Sequence, residues 1–214
     1  MKGARFRYLC LIALAALITG CNDVYSERPL FSAEDARGAA PLRTGIWLER
    51  DPACQFDDSK PVPRWPKCAD WVLIRSGQLL GLEAKRRAWT AYDYVLAGGN
   101  PRVLQVAAPD EQGASRTPTY YYLGLDPTRL DPGGRIVEYR QWQAQCGPPP
   151  PPSPPGQRQR SLTLDPLPGL TPGPDAEHPD DCLAQGPAGV RAAVKASPAW
   201  TSARIWRWVR AAER

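Results

Sequence analysis

The chain has 214 residues, with 27 basic and 22 acidic side chains, and it is rich in proline, with 25 residues of this type. Because three of the basic residues lie within the first seven positions, the rest of the chain is nearly neutral. It lacks the clustered surplus of Lys and Arg that is typical of nucleic-acid-binding domains, so we expect no nucleic-acid partner. The length accommodates one sizeable domain, and the eight Trp and eight Tyr residues favour strands.

Residues 1–20 have the layout of an export signal. A short basic head with Lys2, Arg5 and Arg7 precedes an unbroken apolar run at positions 9–18. A helix that spans a bilayer needs about 20 apolar residues, so this run is too short to cross a membrane. The pattern instead predicts a signal peptide that is removed from the mature protein.

The signal ends in Leu17-Ile18-Thr19-Gly20-Cys21, which resembles the lipobox of bacterial lipoproteins. The resemblance implies cleavage before Cys21 and acylation of this residue, so that the protein binds a membrane through its acyl chains. In that family, a residue other than aspartate after the cysteine, here Asn22, implies the outer membrane, on its periplasmic face. The alternative is an ordinary secretory signal with a cysteine near its end.

Four further cysteines, Cys54, Cys68, Cys146 and Cys182, remain in the mature chain. An even number in an exported protein indicates disulfides, and four cysteines allow three pairings. We predict Cys54–Cys68 and Cys146–Cys182, since each bridge would close a proline-rich loop that has no apolar core of its own. A zinc site with four thiolates is the competing interpretation, but the sequence has no C-x2-C pair. We therefore expect no metal and no cofactor.

Residues 21–41 are expected to be a lipidated tether, because they are polar and show no sustained hydrophobic period. Within them, Ser32 followed three residues later by Asp35 resembles a capping box and predicts one short helical turn at 33–37. The alternative is that Leu30 and Phe31 dock this segment onto the domain.

Residues 42–146 are predicted to form an antiparallel β domain. Short apolar or alternating segments are joined by turn signals with no room for crossover helices, which favours a meander closed into a small barrel or folded into a sandwich. The predicted strands cover 44–50, 70–75, 78–83, 89–96, 102–107, 119–125 and 135–143.

Residues 147–181 are predicted to be a disordered insert, since their Pro, Gly and Asp content favours polyproline II and cannot build a core. The insert could recruit a partner with aromatic grooves, or it could be a tolerated surface insertion. Residues 182–214 return to the same domain, with a helix at 185–197. The segment 203–214 is predicted to be either a basic amphipathic helix or an eighth strand that closes the sheet. Its Trp and β-branched residues favour the strand.

Catalytic chemistry finds little support, and we name no catalytic residue. The only histidine, His178, lies in the proline-rich insert, where fixed geometry is not expected. Three carboxylates on predicted strands, Glu83, Asp93 and Glu138, could serve a glycosidase if two of them converged, but their spacing does not show this.

The consecutive residues Tyr120, Tyr121 and Tyr122 form a candidate aromatic binding surface, although alternate tyrosines could instead pack in the core. These observations predict a lipid-anchored, non-catalytic envelope protein whose partner is another envelope protein. The alternative is a small β-barrel carrier that binds an apolar ligand or a glycan.

Overall fold

The computed structural model describes residues 22–49, 51, 53–83, 88–108, 119–149, 165–173 and 180–212. The described part is mainly β, with one α-helix, α1 (Pro187–Ala196), and two short 3₁₀ turns, Val62–Arg64 and Ser197–Ala199. The strands are β1 (Val24–Ser26), β2 (Gly45–Glu49), β3 (Trp71–Arg75), β4 (Gln78–Glu83), β5 (Ala88–Ala97), β6 (Arg102–Ala108), β7 (Thr119–Leu130), β8 (Ile136–Gln143), β9 (Leu170–Pro172), β10 (Cys182–Ala184) and β11 (Arg204–Arg210). None of the described helices is long and apolar enough to span a bilayer.

Eight antiparallel strands close into a barrel. Strands β2 to β8 follow one another as a meander, β6 also pairs with β7, and β11 pairs with both β8 and β2 to complete the ring. The prediction of an antiparallel β domain is confirmed, and the structure selects the barrel over the sandwich. The ambiguous C-terminal segment is the closing strand, not an amphipathic helix.

The barrel interior is filled by side chains that alternate along the strands. Trp47, Tyr139 and Trp206 are each at most 2% exposed, and the rings of Trp47 and Tyr139 lie 5.0 Å apart. Their neighbours in this core are aliphatic: Leu42, Val72, Ile74, Leu79, Leu96, Leu104, Val106, Leu123, Leu125 and Ile136. A barrel of eight strands is just wide enough for side chains to fill, as they do here.

A second layer, which we call the outer layer, consists of β1, β9, β10 and α1 and packs on the outside of the barrel. Strand β7 is 12 residues long, and β1 pairs with its start, where Tyr25 is opposite Tyr121. Strand β1 is also parallel to β10, which pairs with β9. Helix α1 covers this layer with Val190, Ala193 and Val194.

The N-terminal segment is not a free tether, contrary to our expectation for residues 21–41. Val24 is fully buried in β1, and Phe31 packs against the ring of Tyr122. The backbone amides of Leu30 and Phe31 donate to Oε1 of Gln105, so the docking alternative describes this segment. The expectation failed because the segment's few apolar residues find partners that are distant in sequence.

Residues 32–42 continue this packing toward the far end of the barrel. The amide of Ser32 donates to the Asp35 carboxylate, as the capping-box pattern predicts, and successive turns follow from residue 33 to 38. Leu42 then enters the barrel interior beside Ile136. The N-terminal segment therefore closes one end of the barrel.

The prediction of a disordered insert at 147–181 is wrong for the part that the structure describes. The amide of Leu167 donates to the Cys146 carbonyl, and β9 pairs with β10. Residues 150–164 and 174–179, which include His178, lie outside the described residues. The ordered part is held because Leu167 and Leu170 contribute to the apolar core of the outer layer.

Both predicted disulfides are present, Cys54–Cys68 and Cys146–Cys182, with Cα atoms 5.7 and 5.6 Å apart. The four cysteines are therefore not thiolate ligands for zinc. The first bridge closes a loop that packs on the outside of the barrel, where the Trp65 ring contacts Phe56 and Trp71. Arg210 donates to three carbonyl groups of this loop and so fixes it to β11.

Candidate functional site

One end of the barrel carries polar side chains on its inward face, and we call it the polar end. Glu49 continues the inward face of β2 after Trp47, and Arg204 and Gln141 face each other on β11 and β8. Asp70 directly precedes β3 and continues the inward face of Val72. Because strand residues two positions apart share a face, the same alternation that fills the core brings these polar groups together.

Glu49 and Arg204 form an ion pair across the polar end, with Nη1 of Arg204 donating to Oε2 of Glu49 at 3.0 Å. Desolvation nevertheless raises the pKa of Glu49, and the nearby charges of Asp70 and Asp51 add to this effect, while Arg204 opposes it. Desolvation also raises the pKa of Asp70. Glu49 and Asp70 thus share the positive charge of Arg204, and the negative charge of Asp51 acts on both of them. This arrangement favours a cation or a hydrogen-bond donor as a further neighbour.

Two donors at this end of the interior lack a hydrogen-bond partner within the described part of the chain. These are Nε1 of Trp206 and Nε2 of Gln143, and both atoms are buried. Trp206 is opposite Glu49 in the β11–β2 register. Buried donors usually bind a partner, so these two atoms provide positions for a water molecule or a small polar ligand.

A pocket of about 300 Å³ lies at the rim of the same end, and we call it the rim pocket. Its size is at the lower limit for small-molecule sites. One wall comes from the loop closed by Cys54–Cys68 and the other from β2 and β11. The lining residues are Leu48, Glu49, Asp51, Cys54, Gln55, Phe56 and Arg207.

The three consecutive tyrosines do not form one aromatic surface, which corrects the sequence-based hypothesis. Tyr122 is fully buried beneath the N-terminal segment, and its hydroxyl hydrogen-bonds Ser26 at 2.5 Å. Burial raises the pKa of Tyr122 to about 12. Tyr121 lies on the opposite face of β7, beside the ring of Tyr25. The reason is strand alternation, which sends neighbouring side chains to opposite faces.

Tyr120 is partly buried and packs against the core of the outer layer. It lines a groove of about 310 Å³ on the outside of the barrel, which we call the outer groove. The groove runs between β5 and the N-terminal segment, with Pro29 and Phe31 on one side and Ala91 and Asp93 on the other.

The carboxylates that we named from the sequence do not converge. Asp93 faces outward on β5 and accepts a hydrogen bond from Gln78, whereas Glu138 on β8 accepts one from Thr128. Strands β6 and β7 separate β5 from β8 in the barrel. The side chain of Glu83 lies outside the described part, so its position is not assigned.

Sequence reasoning missed Glu49, Asp70 and Arg204 as a group. A signal for the first was present, because Glu49 shares the alternation of Trp47 and therefore had to face the same side as that large apolar residue. A charged residue on the apolar face of a strand is unusual and indicates either a strand end or a polar site. Its partner Arg204 is 155 residues away, which no local pattern predicts.

The chain was compared with protein-family models, with curated proteins and with solved structures. None of these comparisons found a match.

Proposed function

We propose that this chain is an exported bacterial lipoprotein, anchored through acylated Cys21, that acts in the cell envelope by binding and not by catalysis. The anchor is supported by the lipobox-like end of the signal, and export by the two disulfides, which form in oxidising compartments. Asn22 after the acylated residue favours the outer membrane, on its periplasmic face.

The observation that carries the binding role is the filled barrel. Trp47, Tyr139 and Trp206 occupy the interior, so a large apolar ligand has no room between them. Contacts with other molecules then involve the rim and the outside of the barrel, where the rim pocket and the outer groove lie. This arrangement favours an interaction protein whose partner is another envelope protein.

A second candidate function is a receptor for a small polar ligand, such as a glycan unit. It is favoured by the buried donors of Trp206 and Gln143 beside the carboxylate of Glu49. Such a ligand would complete the hydrogen bonds of these groups at the polar end. The carrier of an apolar ligand, the other form of this hypothesis, is disfavoured by the aromatic side chains in the interior.

Fractionation of cells that express the wild type and Cys21→Ser tests the anchor. We expect the wild type in the membrane fraction with a mass that includes acyl chains, and we expect the variant as an uncut, unacylated precursor. A processed variant that stays in the membrane fraction would refute anchoring through Cys21.

Native mass spectrometry of the protein extracted from its own envelope tests the binding role. A stoichiometric protein partner supports the interaction protein, and a bound small molecule that is lost in Gln143→Leu supports the polar-ligand receptor. Hydrolysis of cell-wall material by the wild type, abolished in Glu49→Gln, would overturn the non-catalytic proposal. Asp93→Asn is the matched control, because Asp93 lies outside the polar end.

A further inference from the structure

We infer that the turn after α1, with Pro198, Ala199 and Trp200, is the surface that lies on the lipid bilayer when Cys21 is acylated. The inference rests on the proposed anchor and adds to it which side of the protein contacts the membrane. The occupant of this surface is the bilayer that holds the acyl chains. The three residues are called the anchor turn below.

The connection between Cys21 and the described fold is a single peptide bond. Consecutive Cα atoms are about 3.8 Å apart, so an acylated Cys21 lies one residue spacing from Asn22. Asn22 is only 6% exposed, and the buried stretch continues without a break to Ser26. An acylated cysteine followed by a flexible linker would let the domain move away from the membrane, but no such linker precedes β1.

Hydrogen bonds and a disulfide hold Asn22 and Asp23 at the place where the chain enters the fold. The backbone carbonyl of Asn22 accepts a hydrogen bond from the Cys146 amide, and the Asp23 carbonyl accepts one from the Cys182 amide. The disulfide Cys146–Cys182 joins these two neighbours covalently. The anchor is therefore attached to a crosslinked corner of the outer layer.

Backbone and side-chain hydrogen bonds connect this corner to the anchor turn. Asp23 forms an isolated bridge with Gln145, whose amide donates to Oγ of Ser197 at 2.8 Å. The amide of Trp200 in turn donates to the carbonyl of Ser197 at 2.8 Å. The anchor turn is thus connected through Gln145 and Ser197 to Asp23, the second residue after the acylated cysteine.

The chemistry of the anchor turn suits the interfacial region of a bilayer, which is about 5–8 Å thick on each side. Pro198 and Ala199 are exposed, Trp200 is half-buried, and Lys195 is exposed in the last turn of α1. Tryptophan is favoured at membrane interfaces because its ring is apolar and its indole nitrogen polar. Lysine is attracted to anionic headgroups.

Hydroxyl-radical footprinting tests the inference on full-length protein. The acylated wild type is placed in lipid nanodiscs, and soluble protein that carries a cleavable secretory signal and Cys21→Ser serves as the unanchored reference. We expect oxidation of the Trp200 side chain to fall severalfold in the nanodisc. Leu130 is the internal control, because it is 50% exposed and lies at the opposite end of the barrel from Gln145, so its oxidation should not change.

A linker variant tests whether the short connection to Cys21, and not acylation alone, holds the anchor turn on the bilayer. Ten Gly and Ser residues inserted between Cys21 and Asn22 span roughly 17 Å on average, which releases the fold from the bilayer. We expect this variant to be acylated and Trp200 to be oxidised as fast as in the soluble reference. Equal protection of Trp200 with and without the linker would contradict a position imposed by the short connection.

The intact mass of the wild type distinguishes failure of the proposed anchor from failure of the inference about the anchor turn. If the wild type carries no acyl chains, the proposed anchor fails and the inference falls with it. If it carries acyl chains but Trp200 is oxidised as fast in the nanodisc as in solution, the anchor stands and the inference is wrong.

Discussion

The barrel and the outer layer of this protein are built from the chain in opposite ways. Seven of the eight barrel strands, β2 to β8, form a meander in which six pairings join strands that are consecutive in the chain. The outer layer instead joins segments that are far apart, as in the hydrogen bond from the Asp23 amide to Asp181, 158 residues away. The barrel core is a set of alternating side chains, whereas the outer layer also needs a disulfide and specific polar contacts.

This difference shows where the stability of each region originates. Four of the six connections between consecutive strands of the meander have five residues or fewer, so their closure costs little chain entropy. Most of the stability of the barrel then comes from burial of its large side chains. The outer layer joins distant segments, so its formation costs a large amount of chain entropy. The Cys146–Cys182 bridge lowers this cost because it restricts the unfolded chain. The two regions should therefore respond differently to the loss of a core side chain and to the loss of a crosslink.

The largest effect is expected from Trp47→Ala, which removes a fully buried ring from the barrel core. Truncation of such a side chain leaves a cavity and should lower the free energy of unfolding by about 3–5 kcal/mol, as measured by denaturant titration. Trp65→Ala is the control, since Trp65 lies on the outer loop and is half-exposed. An equal loss from the two variants would mean that the barrel core does not dominate the stability.

Removal of Cys146–Cys182 by a double change to Ala should act on the outer layer. The bridge joins residues 36 apart in sequence, and the chain-entropy relation gives a loss of about 4 kcal/mol. Hydrogen exchange should become faster at β1 and β10 before it does at β3 and β4. The matched control, loss of Cys54–Cys68 with its separation of 14 residues, should cost about 3 kcal/mol and leave β1 protected.

Gly124→Ala should break the contact between the two regions. A Cβ atom at this position would collide with the ring of Trp142, whose Nε1 donates to the Val194 carbonyl of α1. Displacement of the ring should cost about 1–3 kcal/mol and expose the Trp142 indole to exchange in NMR spectra. Gly98→Ala is the control, because its Cβ would be 3.5 Å from the nearest atom, the Asp35 carbonyl oxygen. A stable variant with an unchanged Trp142 signal would show that the ring has room to move.

The smallest effect concerns the pH dependence of the polar end. Because the pKa of Asp70 is raised in the fold, the native state binds more protons than the unfolded state just above pH 3.8. The stability contribution of this group therefore falls as the pH rises through its folded pKa. Asp70→Asn should remove this decline and stabilise the protein at pH 7 by less than about 1 kcal/mol, since the site is partly open to solvent.

Asp57→Asn is the control, and we expect it to change the pH dependence of stability in the opposite direction. The pKa of Asp57 is lowered, chiefly by the hydrogen bond from the Ser59 side chain, so its contribution is present above pH 3.8 and is lost as the pH falls through the lower folded value. Thermal unfolding from pH 3 to pH 7 should therefore show opposite changes in slope for the two variants. The same sign in both would contradict the assigned desolvation of Asp70.

Much of the fold could be predicted from the sequence, because its signals are local. The alternation of side chains along β5 predicts one strand, and the turn at Ser76 and Gly77 predicts the hairpin of β3 and β4. The register between neighbouring strands follows from these local patterns. The C-terminal segment 204–210 was recognised as a strand for the same reason. The cysteine pairing was also accessible, since each bridge joins cysteines that are consecutive in the chain.

The candidate site was much less predictable. Tyr120, Tyr121 and Tyr122 are consecutive, but alternation places Tyr121 on the opposite face of β7 from the other two. Tyr120 and Tyr122 share the outer face, where the N-terminal segment buries Tyr122 and leaves Tyr120 lining the outer groove. The carboxylates that do meet a cation, above all Glu49, depend on Arg204 from the other end of the chain. Spacing along the sequence contains no information about such a pair until the barrel closes.

The sequence by itself determined the barrel strands, the helix α1, the disulfide framework and the lipobox-like signal that underlies the proposed anchor. Only the tertiary structure decided that residues 22–42 belong to the fold, that part of the proline-rich insert forms β9, and that a polar end exists. The physical reason is that strand and turn preferences act between near neighbours. The burial of a weakly apolar segment such as β1 depends instead on surfaces that distant residues provide after folding.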